Sequence, residues 1–336
     1  MQGAHHFNLY DKEMNNPLVS VIVPIYGVER YISRCAYSLM EQTYSNVEYV
    51  FVNDCTKDSS MEILNNVIAE FPSRKQQCRI LDHIENKGLA AARNTGINVA
   101  SGDFIMHVDS DDYLEKDAIE SLVAVAVIEN SDIVVAGFNS VNGDSLVKSH
   151  YPEHLSKDQY IRRILNMSVY TNVWAKLYAS SLFGEDKHTR PVEGVNHGED
   201  YATLPRILYY AEKISYLDKC IYNYLESNTS SFTKNFSGKS MEDIVKANNV
   251  LHDFFKDKVD ESELRKALLR TKLAMYKYGN LELFDEIGAL YPELTKSDRK
   301  QLPLKDRILL CLIDIRLYKI AGLYIQLGLK YMRHVN

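Results

Sequence analysis

Residues 100–114 read ASGDFIMHVDSDDYL, and this stretch decides the fold prediction. Its apolar run, 104–108, is short and ends at acidic residues, as expected of a buried strand with polar groups at its carboxyl end. Asp109 and Asp111 follow the run and lie two residues apart, so they can share one Mg2+ or Mn2+ ion together with phosphate oxygens. The alternatives are a solvated acidic turn or a helix cap. The position directly after an apolar strand favours the cation site.

The alternation of short apolar runs and helical segments continues on both sides of this stretch. Predicted strands cover residues 19–23, 47–52, 79–81, 104–108 and 133–136, and predicted helices cover 29–42, 60–71, 90–100 and 117–128. Such alternation predicts an α/β fold with a mostly parallel central sheet and helices on both faces. Ligands of these sheets bind beyond the carboxyl ends of the strands, which is where the acidic cluster falls.

The second half of the chain has a different pattern. After about residue 147 the regularity fades into short strands and one helix beginning near Asp200, and after residue 237 the apolar residues recur at helical spacing. We therefore predict one catalytic unit, 17–235, made of a nucleotide-sugar-binding half, 17–115, and an acceptor half, 116–235. A helical extension, 236–336, follows it.

Composition excludes several classes of protein. A formal net charge of -6 argues against general nucleic-acid binding, which needs a basic face. The five cysteines are scattered and odd in number, which fits neither a disulfide framework nor a zinc site. No secretory signal and no apolar run long enough to span a bilayer are visible, so a cytoplasmic location is expected.

Three further positions carry candidate chemistry. Asp54 ends the second predicted strand and can accept the imide N–H of a uracil or thymine ring. Arg93 opens onto another strand-to-helix junction and either pairs with a diphosphate or is a surface arginine. The loop Gly198-Glu199-Asp200 precedes a helix, so its carboxylates serve either as a general base or as a favourable helix start.

Taken together, the motifs resemble those of family 2 glycosyltransferases of the bacterial polysaccharide-biosynthesis type. The matching segments cover roughly 17–231 and are VSVIVPIYGVE from Val19, QTY from Gln42, VNDCTKDSS from Val52, NKGLAAARNTG from Asn86, ASGDFIMHVDSDDYL from Ala100, WAKLY from Trp174 and GEDY from Gly198. The resemblance implies the GT-A fold, a nucleotide-binding α/β sandwich. Phosphate-loop, G-x-G-x-x-G, G-x-S-x-G and H-E-x-x-H motifs are all absent from the sequence.

The resemblance also implies a role for each matching position. On the donor side, Pro24 and Tyr26 would line the base and ribose pocket, Asp54 would hold the base edge, Arg93 would lie near base or diphosphate, and Asp109 would contact the ribose or donor sugar. Asp111 would ligate Mg2+ or Mn2+. Asp200 would be the catalytic base with Glu199 shaping the acceptor site, and Trp174 and Lys176 would sit close to acceptor or donor. Two positions depart from the family pattern. Cys55 stands where glycine is usual and Gly27 where asparagine is usual, and Cys55 tests whether that turn needs a positive φ.

The expected function is an inverting, metal-assisted transfer of a hexosyl or N-acetylhexosaminyl group from a nucleotide-sugar to a glycan or lipid-linked glycan. A UDP-sugar is the leading expectation for the donor, although the altered turn at Cys55 weakens it. The alternatives are a sugar nucleotidyltransferase and a non-catalytic glycan-binding relative. Residues 304–333 combine six Lys/Arg and two Asp/Glu with many large apolar residues. That segment either lies in a membrane interface, giving peripheral association with the inner face of the membrane, or packs on the protein or on a second copy in a homodimer.

Overall fold

A computed structural model describes residues 16–142, 145–184, 188–226 and 236–335. The chain divides into two compact units: the first holds the described residues within Met1–Tyr160 and Asn172–Ser230, and the second those within Ile161–Thr171 and Ser231–Asn336. The division in the chain after residue 230 lies close to the expected start of the helical extension.

The first unit is built around a mixed sheet. Its strands are β1 (Val19–Ile25), β2 (Val47–Asn53), β3 (Cys78–Asp82), β4 (Phe104–His107), β5 (Tyr113–Leu114), β6 (Ile133–Asn142), β7 (Ser145–His150), β8 (Lys176–Ala179) and β9 (Ile214–Leu225). Its helices are α1 (Ile32–Met40), α2 (Ser60–Glu70), α3 (Leu89–Val99), α4 (Ala118–Glu129) and α6 (Glu199–Tyr210), and α5 (Lys157–Leu165) begins at its end. The α/β class is confirmed.

The order of the strands explains where polar side chains gather. The sheet runs β3-β2-β1-β4-β8-β6-β9-β5, with β7 added beside β6. The β3-β2-β1-β4 half is parallel, and β1 is buried along its whole length because helices cover both faces. The carboxyl ends of β1, β2 and β4 therefore meet at one edge, and each is followed by a predicted site residue.

The sheet is less parallel than the sequence predicts. Strand β8 pairs antiparallel with both β4 and β6, whereas β6 and β9 are parallel with two register shifts. The sequence prediction also stops β6 at residue 136, although the strand continues to Asn142, and misses β5, β7 and α5. These elements are short, or contain polar residues such as Asn139 and Ser140 that are buried only because β9 and β7 pair with the strand.

The second unit is helical, as the sequence predicts. It contains α7 (Gly238–Phe255), α8 (Glu261–Tyr278), α9 (Phe284–Ala289), α10 (Leu304–Asp314) and α11 (Tyr318–Val335), packed around their own apolar core. Residues 304–333, expected to be helical, form two helices, because Arg316 adopts a left-handed φ of 58° and its N–H bonds the carbonyl of Ile313 at 2.9 Å. Within the described residues, no helix has the length and apolarity needed to cross a membrane.

Candidate active site

The acidic turn after β4 is held by two residues of β9. The hydroxyl of Tyr222 accepts a hydrogen bond from the backbone N–H of Asp109 at 3.1 Å and donates to Asp112 at 2.8 Å. Asp112 is fully buried and also accepts from the backbone N–H of Leu225 at 2.8 Å. Asp112 therefore fixes the turn from within, and Asp109 and Asp111 are the other two carboxylates of the turn.

Arg93, on α3, lies fully buried at the centre of the candidate site. Its two terminal nitrogens donate to three carboxylates: one reaches Asp109 at 2.7 Å, and the other reaches Glu199 and, at 2.9 Å, Asp200. Burial disfavours the charged guanidinium, but the carboxylates raise the pKa of Arg93 well above its ordinary value. The alternative of a surface arginine is therefore wrong, and Arg93 is the common counter-ion of three acids. A position near a base or diphosphate stays a prediction.

The neighbouring carboxylates at the start of α6 have opposite environments. The side chain of Glu199 is 2% exposed, whereas that of Asp200 is 25% exposed. Burial raises the pKa of Glu199 well above its usual range, and the charge of Asp200 adds to the effect against that of Arg93. Burial alone would also raise the pKa of Asp200, but Arg93 and a hydrogen bond from Glu199 lower it overall. The two adjacent carboxylates thus differ: the pKa of the buried Glu199 is raised, and that of Asp200, which reaches the surface, is lowered.

Glu199 accordingly does not lie beside Asp200 at the surface, as expected of a residue that shapes an acceptor site. It lies beneath, against Arg93, with one carboxyl oxygen lacking a hydrogen-bond partner among the described residues. The sequence could not separate the two residues, because both are carboxylates in the first turn of one helix.

The loop before β8 connects Asp200 to the predicted pair Trp174 and Lys176. The backbone N–H of Val173 donates to Asp200 at 3.3 Å. The ammonium group of the buried Lys176 donates to the carbonyls of Asn172 at 2.7 Å and Trp174 at 3.4 Å, on either side of Val173. Burial lowers the pKa of Lys176 to about 7, although Asp200 opposes the shift. Lys176 is thus placed to hold the loop that hydrogen-bonds Asp200.

The ring of Trp174 belongs to an aromatic stack rather than to an open surface. It lies parallel to Tyr222, with ring centroids 4.4 Å apart, and to Tyr224 at 5.5 Å, and Phe138 meets it edge-on at 4.9 Å. Because Tyr222 also holds the acidic turn, the stack links the loop beside Asp200 to the turn that bears Asp109.

Asp54 follows β2 and organises a second loop at the same edge of the sheet. Its buried carboxylate accepts the backbone N–H groups of Lys87 and Gly88, both at 2.8 Å, and lies 2.7 Å from Nδ1 of His83. A carboxylate has about four acceptor positions, so one remains beyond these three contacts. His83 carries no motif signal in the sequence, and only the structure reveals its contact with Asp54.

The remaining predicted residues lie at the end of β1. Pro24 is buried within the strand, and Tyr26, just beyond it, is 51% exposed. Gly27 has φ of +68°, a conformation that glycine adopts freely and asparagine also tolerates. Cys55 has φ of +58°, so its turn does use a left-handed residue, a conformation that a cysteine rarely adopts.

Comparisons with known proteins identify the family of this chain. Residues 20–183 match the family described as Glycosyl transferase family 2. Glycosyltransferase GlyG of Streptococcus pneumoniae is 31% identical over 243 residues, which cover 68% of this chain and 77% of GlyG. The chain belongs to glycosyl transferase family 2.

Other relatives extend this comparison. Glycosyltransferase GlyA of S. pneumoniae is 33% identical over 244 residues, but the match spans only 33% of GlyA and 68% of this chain. The crystal structure of Staphylococcus aureus TarS residues 1–349 in complex with UDP-GlcNAc superposes with a TM-score of 0.71 at 21% identity, covering 93% of this chain and 92% of that one. The fold of this family 2 glycosyltransferase is therefore that of a GT-A enzyme, with the helices that follow it.

Glycosyltransferases of this family generally use a divalent cation. The carboxylates of this site fit such a cation only if a substrate supplies further ligands. Within the described residues, no group of three or more His, Cys, Asp or Glu side chains is arranged to hold a metal ion alone. Asp109 and Asp111 supply hard oxygen ligands at the end of β4, and burial raises the pKa of Asp109 to about 6, with Asp111 and Asp200 adding to the shift against Arg93. Mg2+ and Mn2+ sites commonly take one or two carboxylates and complete their shell with phosphates and water.

The structure thus brings together Arg93, Asp109, Glu199 and Asp200, and joins Lys176 to them through the backbone of Val173. Pro24, Tyr26 and Asp54 lie at neighbouring strand ends without contacting this cluster among the described hydrogen bonds. His107 is a further buried group that the sequence analysis misses. Burial, aided by Arg93, lowers its pKa to about 3, and the only available signal was a histidine inside the apolar run of β4.

Proposed function

We propose that this glycosyltransferase moves a sugar from a nucleoside-diphosphate sugar onto a hydroxyl of a glycan by a single displacement with inversion. The observation that carries the proposal is the contrast between two adjacent carboxylates: Asp200 reaches the surface and has a lowered pKa, whereas Glu199 is buried and has a raised pKa. One surface carboxylate beside a donor site can deprotonate an incoming hydroxyl, and attack from the face opposite the leaving group inverts the anomeric carbon.

The donor we propose is a UDP-sugar carrying a hexosyl or N-acetylhexosaminyl group. TarS, whose fold this chain shares, was crystallised with UDP-GlcNAc. The acceptor position that remains on Asp54 suits the imide N–H of uracil, and Tyr26 offers an exposed ring at the adjacent strand end.

Asp111 and Asp109 would hold Mn2+ or Mg2+ together with the diphosphate of the donor. A cation bound there offsets negative charge that develops on the leaving diphosphate. Arg93 has a different task, since it is fully buried and its described contacts are the three acids. It holds Asp109 and Asp200 in fixed positions while both stay ionised, which spares the site from reorganising during the reaction.

Asp200 receives the proton of the acceptor hydroxyl at its carboxylate. Its position is set from two sides, by Arg93 and by the N–H of Val173. Lys176 fixes the loop around Val173 through the two flanking carbonyls, so we assign Lys176 as a positioning residue rather than a group that touches substrate. The acceptor itself is proposed to be a glycan, free or lipid-linked. Two further partners, a membrane surface and a second copy of the chain, concern the helical extension and not this site.

The test begins with thermal shift of the full chain in UDP, GDP and UDP-sugars, each with and without Mn2+. UDP release from the stabilising sugar nucleotide is then measured for wild type and for Asp200→Asn. General-base catalysis is worth about 10²- to 10⁴-fold, so the variant should lose that factor in turnover while its donor affinity changes little. Normal turnover in Asp200→Asn would remove Asp200 from the mechanism.

Glu199→Gln is the matched control, one residue away on the same helix. Because Glu199 is buried and its pKa is raised, an amide of the same shape is a mild replacement there, and a much smaller loss of turnover is expected. Equal losses in the two variants would point to a structural effect of the cluster. Pyrophosphate formation from a sugar phosphate and a nucleoside triphosphate would instead support the nucleotidyltransferase alternative. Mn2+-dependent donor binding without any turnover would support the non-catalytic alternative.

A further inference from the structure

The last two helices each carry a second apolar stripe that does not pack into the core. In α10 the buried apolar positions are Leu309, Leu310 and Ile313, and in α11, as far as Leu327, the buried position is Ala321. On the opposite side of each helix, at helical spacing, large apolar residues are between 41% and 68% exposed: Leu304, Ile308 and Ile315 on or next to α10, and Ile320, Leu323 and Leu327 on α11. These six residues form the outer stripe.

Repeated spacing distinguishes the outer stripe from scattered surface residues. Single exposed apolar side chains are ordinary on any protein. Here the spacing of three, four or seven residues places each set on one side of its helix, opposite the packed side. Two consecutive helices with the same arrangement indicate a surface that binds something apolar.

The charged residues next to the outer stripe are mainly basic, and the exposed acid Asp285, which contacts Tyr318 of α11, is paired with Arg316. Lys305, Arg307 and Lys319 are exposed, and within the part of the chain the structure describes they make no ion pair. The two acids of α10 are already committed. Asp306 is buried in ion pairs with two side chains of α8, and Asp314 is hydrogen-bonded to an arginine of the segment before α10. The outer stripe is therefore an apolar surface with a positive border.

This charge pattern discriminates between the two partners that the sequence leaves open. In a symmetric dimer the same patch faces itself, so the exposed cations would meet cations. An anionic lipid surface complements both features, because acyl chains accept the apolar stripe and headgroup phosphates attract the lysines and arginine. Helices of this kind lie in the plane of the interface and do not cross the bilayer, in agreement with the lengths observed.

We propose that the outer stripe docks this chain peripherally on an anionic lipid bilayer, with Ile320, Leu323 and Leu327 inserted among the headgroups. This inference does not depend on the proposed catalytic mechanism. It concerns the second unit alone, and its test uses no sugar nucleotide, so its failure would leave the transferase proposal standing.

The test is flotation of the full chain with vesicles of phosphatidylcholine alone and with vesicles that also contain phosphatidylglycerol. We expect flotation with the anionic vesicles only, weakening as salt is raised because exposed charges are screened. The variant Leu323→Asn/Leu327→Asn should lose flotation with the anionic vesicles. Replacing Lys305 and Lys319 by Gln should weaken binding about fivefold for each charge removed.

The matched control is Ile128→Asn, an exposed apolar residue on α4 that is 84% exposed and far from the outer stripe in sequence. It should float like wild type. Circular dichroism and thermal unfolding establish that the variants fold, as expected for exposed positions. The proposal is overturned if the wild-type protein does not float with the anionic vesicles, or if Leu323→Asn/Leu327→Asn floats as well as the wild type. A dimer in size-exclusion chromatography that dissociates in that variant, without vesicle binding, would assign the surface to a second copy instead.

Discussion

Replacing Arg93 by methionine tests the electrostatic core of the site directly. Methionine keeps much of the apolar stem but removes the guanidinium that neutralises Asp109, Glu199 and Asp200. Removing one partner of a buried ion pair costs about 3–5 kcal/mol, because the other charge is left uncompensated. Arg93 is fully buried, so little solvent screening reduces this figure. For a unit of this size the loss corresponds to a drop in Tm of roughly 6–20 °C.

The pH dependence of that loss is the sharper part of the prediction. With Arg93 absent, Asp109 and Asp200 are ionised in a buried site without a cation, so their folded-state pKa values rise above the unfolded value of about 3.9. A carboxyl whose pKa is higher in the folded than in the unfolded state lowers the free energy of unfolding as the pH rises from the unfolded to the folded pKa. Asp109 already has a pKa raised to about 6 by burial in the wild type, partly offset by Arg93. The difference in stability between wild type and variant should therefore be small near about pH 5 and large near about pH 8.

Arg206→Met is the matched control for lost volume and lost hydrogen bonds. Arg206 is also buried, but its described partners are backbone carbonyls, at 2.7 Å for Ala202 and 2.9 Å for Arg190, and not carboxylates. Burial lowers the pKa of Arg206 to about 10, above the range tested. Its variant should be destabilised by a similar amount at both pH values. The assay is thermal unfolding of both variants and wild type at the two pH values. An equal loss for Arg93→Met at both would refute the electrostatic account and leave only packing.

Two further predictions concern the donor site and the loop beside the base. Donor binding in the presence of Mn2+ should weaken about tenfold per pH unit below about 6, because protonated Asp109 no longer offers a carboxylate. Calorimetric titration of the donor across that pH range measures this affinity. A flat pH profile would remove Asp109 from the donor site. Lys176→Met should lower kcat with little change in donor KM, because it releases the carbonyls that hold Val173 against Asp200. Steady-state kinetics separates the two parameters, and a rise in KM alone would make Lys176 a donor contact instead.

The first half of the fold could be predicted from sequence because each of its strands carries its own signal. Runs such as 19–23 and 47–52 are mostly apolar, with Ser20 and Glu48 as the exceptions, because helices cover both faces of the parallel strands, and polar residues follow them. In the second half the signal is not local. Strand β9 alternates only in part, pairs with β6 through two register shifts, and depends on those contacts for its length.

The candidate site could be located from sequence but not assembled. The D-x-D pair and the G-E-D-Y loop each mark a place where carboxylates follow an element, and both belong to the observed cluster. The link between them is Arg93, which lies 16 residues from Asp109 and 107 from Asp200. No spacing rule connects positions so distant, so the role of Arg93 could come only from the structure.

The contrast between Glu199 and Asp200 supports the proposed choice of Asp200 as the base. Both carboxylates contact one guanidinium, yet burial raises the pKa of Glu199, while Arg93 and Glu199 lower that of Asp200. A base with a lowered pKa is a weak proton acceptor at rest, so in the proposed mechanism proton transfer follows the growth of positive charge on the attacking hydroxyl. Once Asp200 had taken that proton, Arg93 would still hold Asp109 and Glu199. The cluster could therefore gain a proton without losing the cation that positions it.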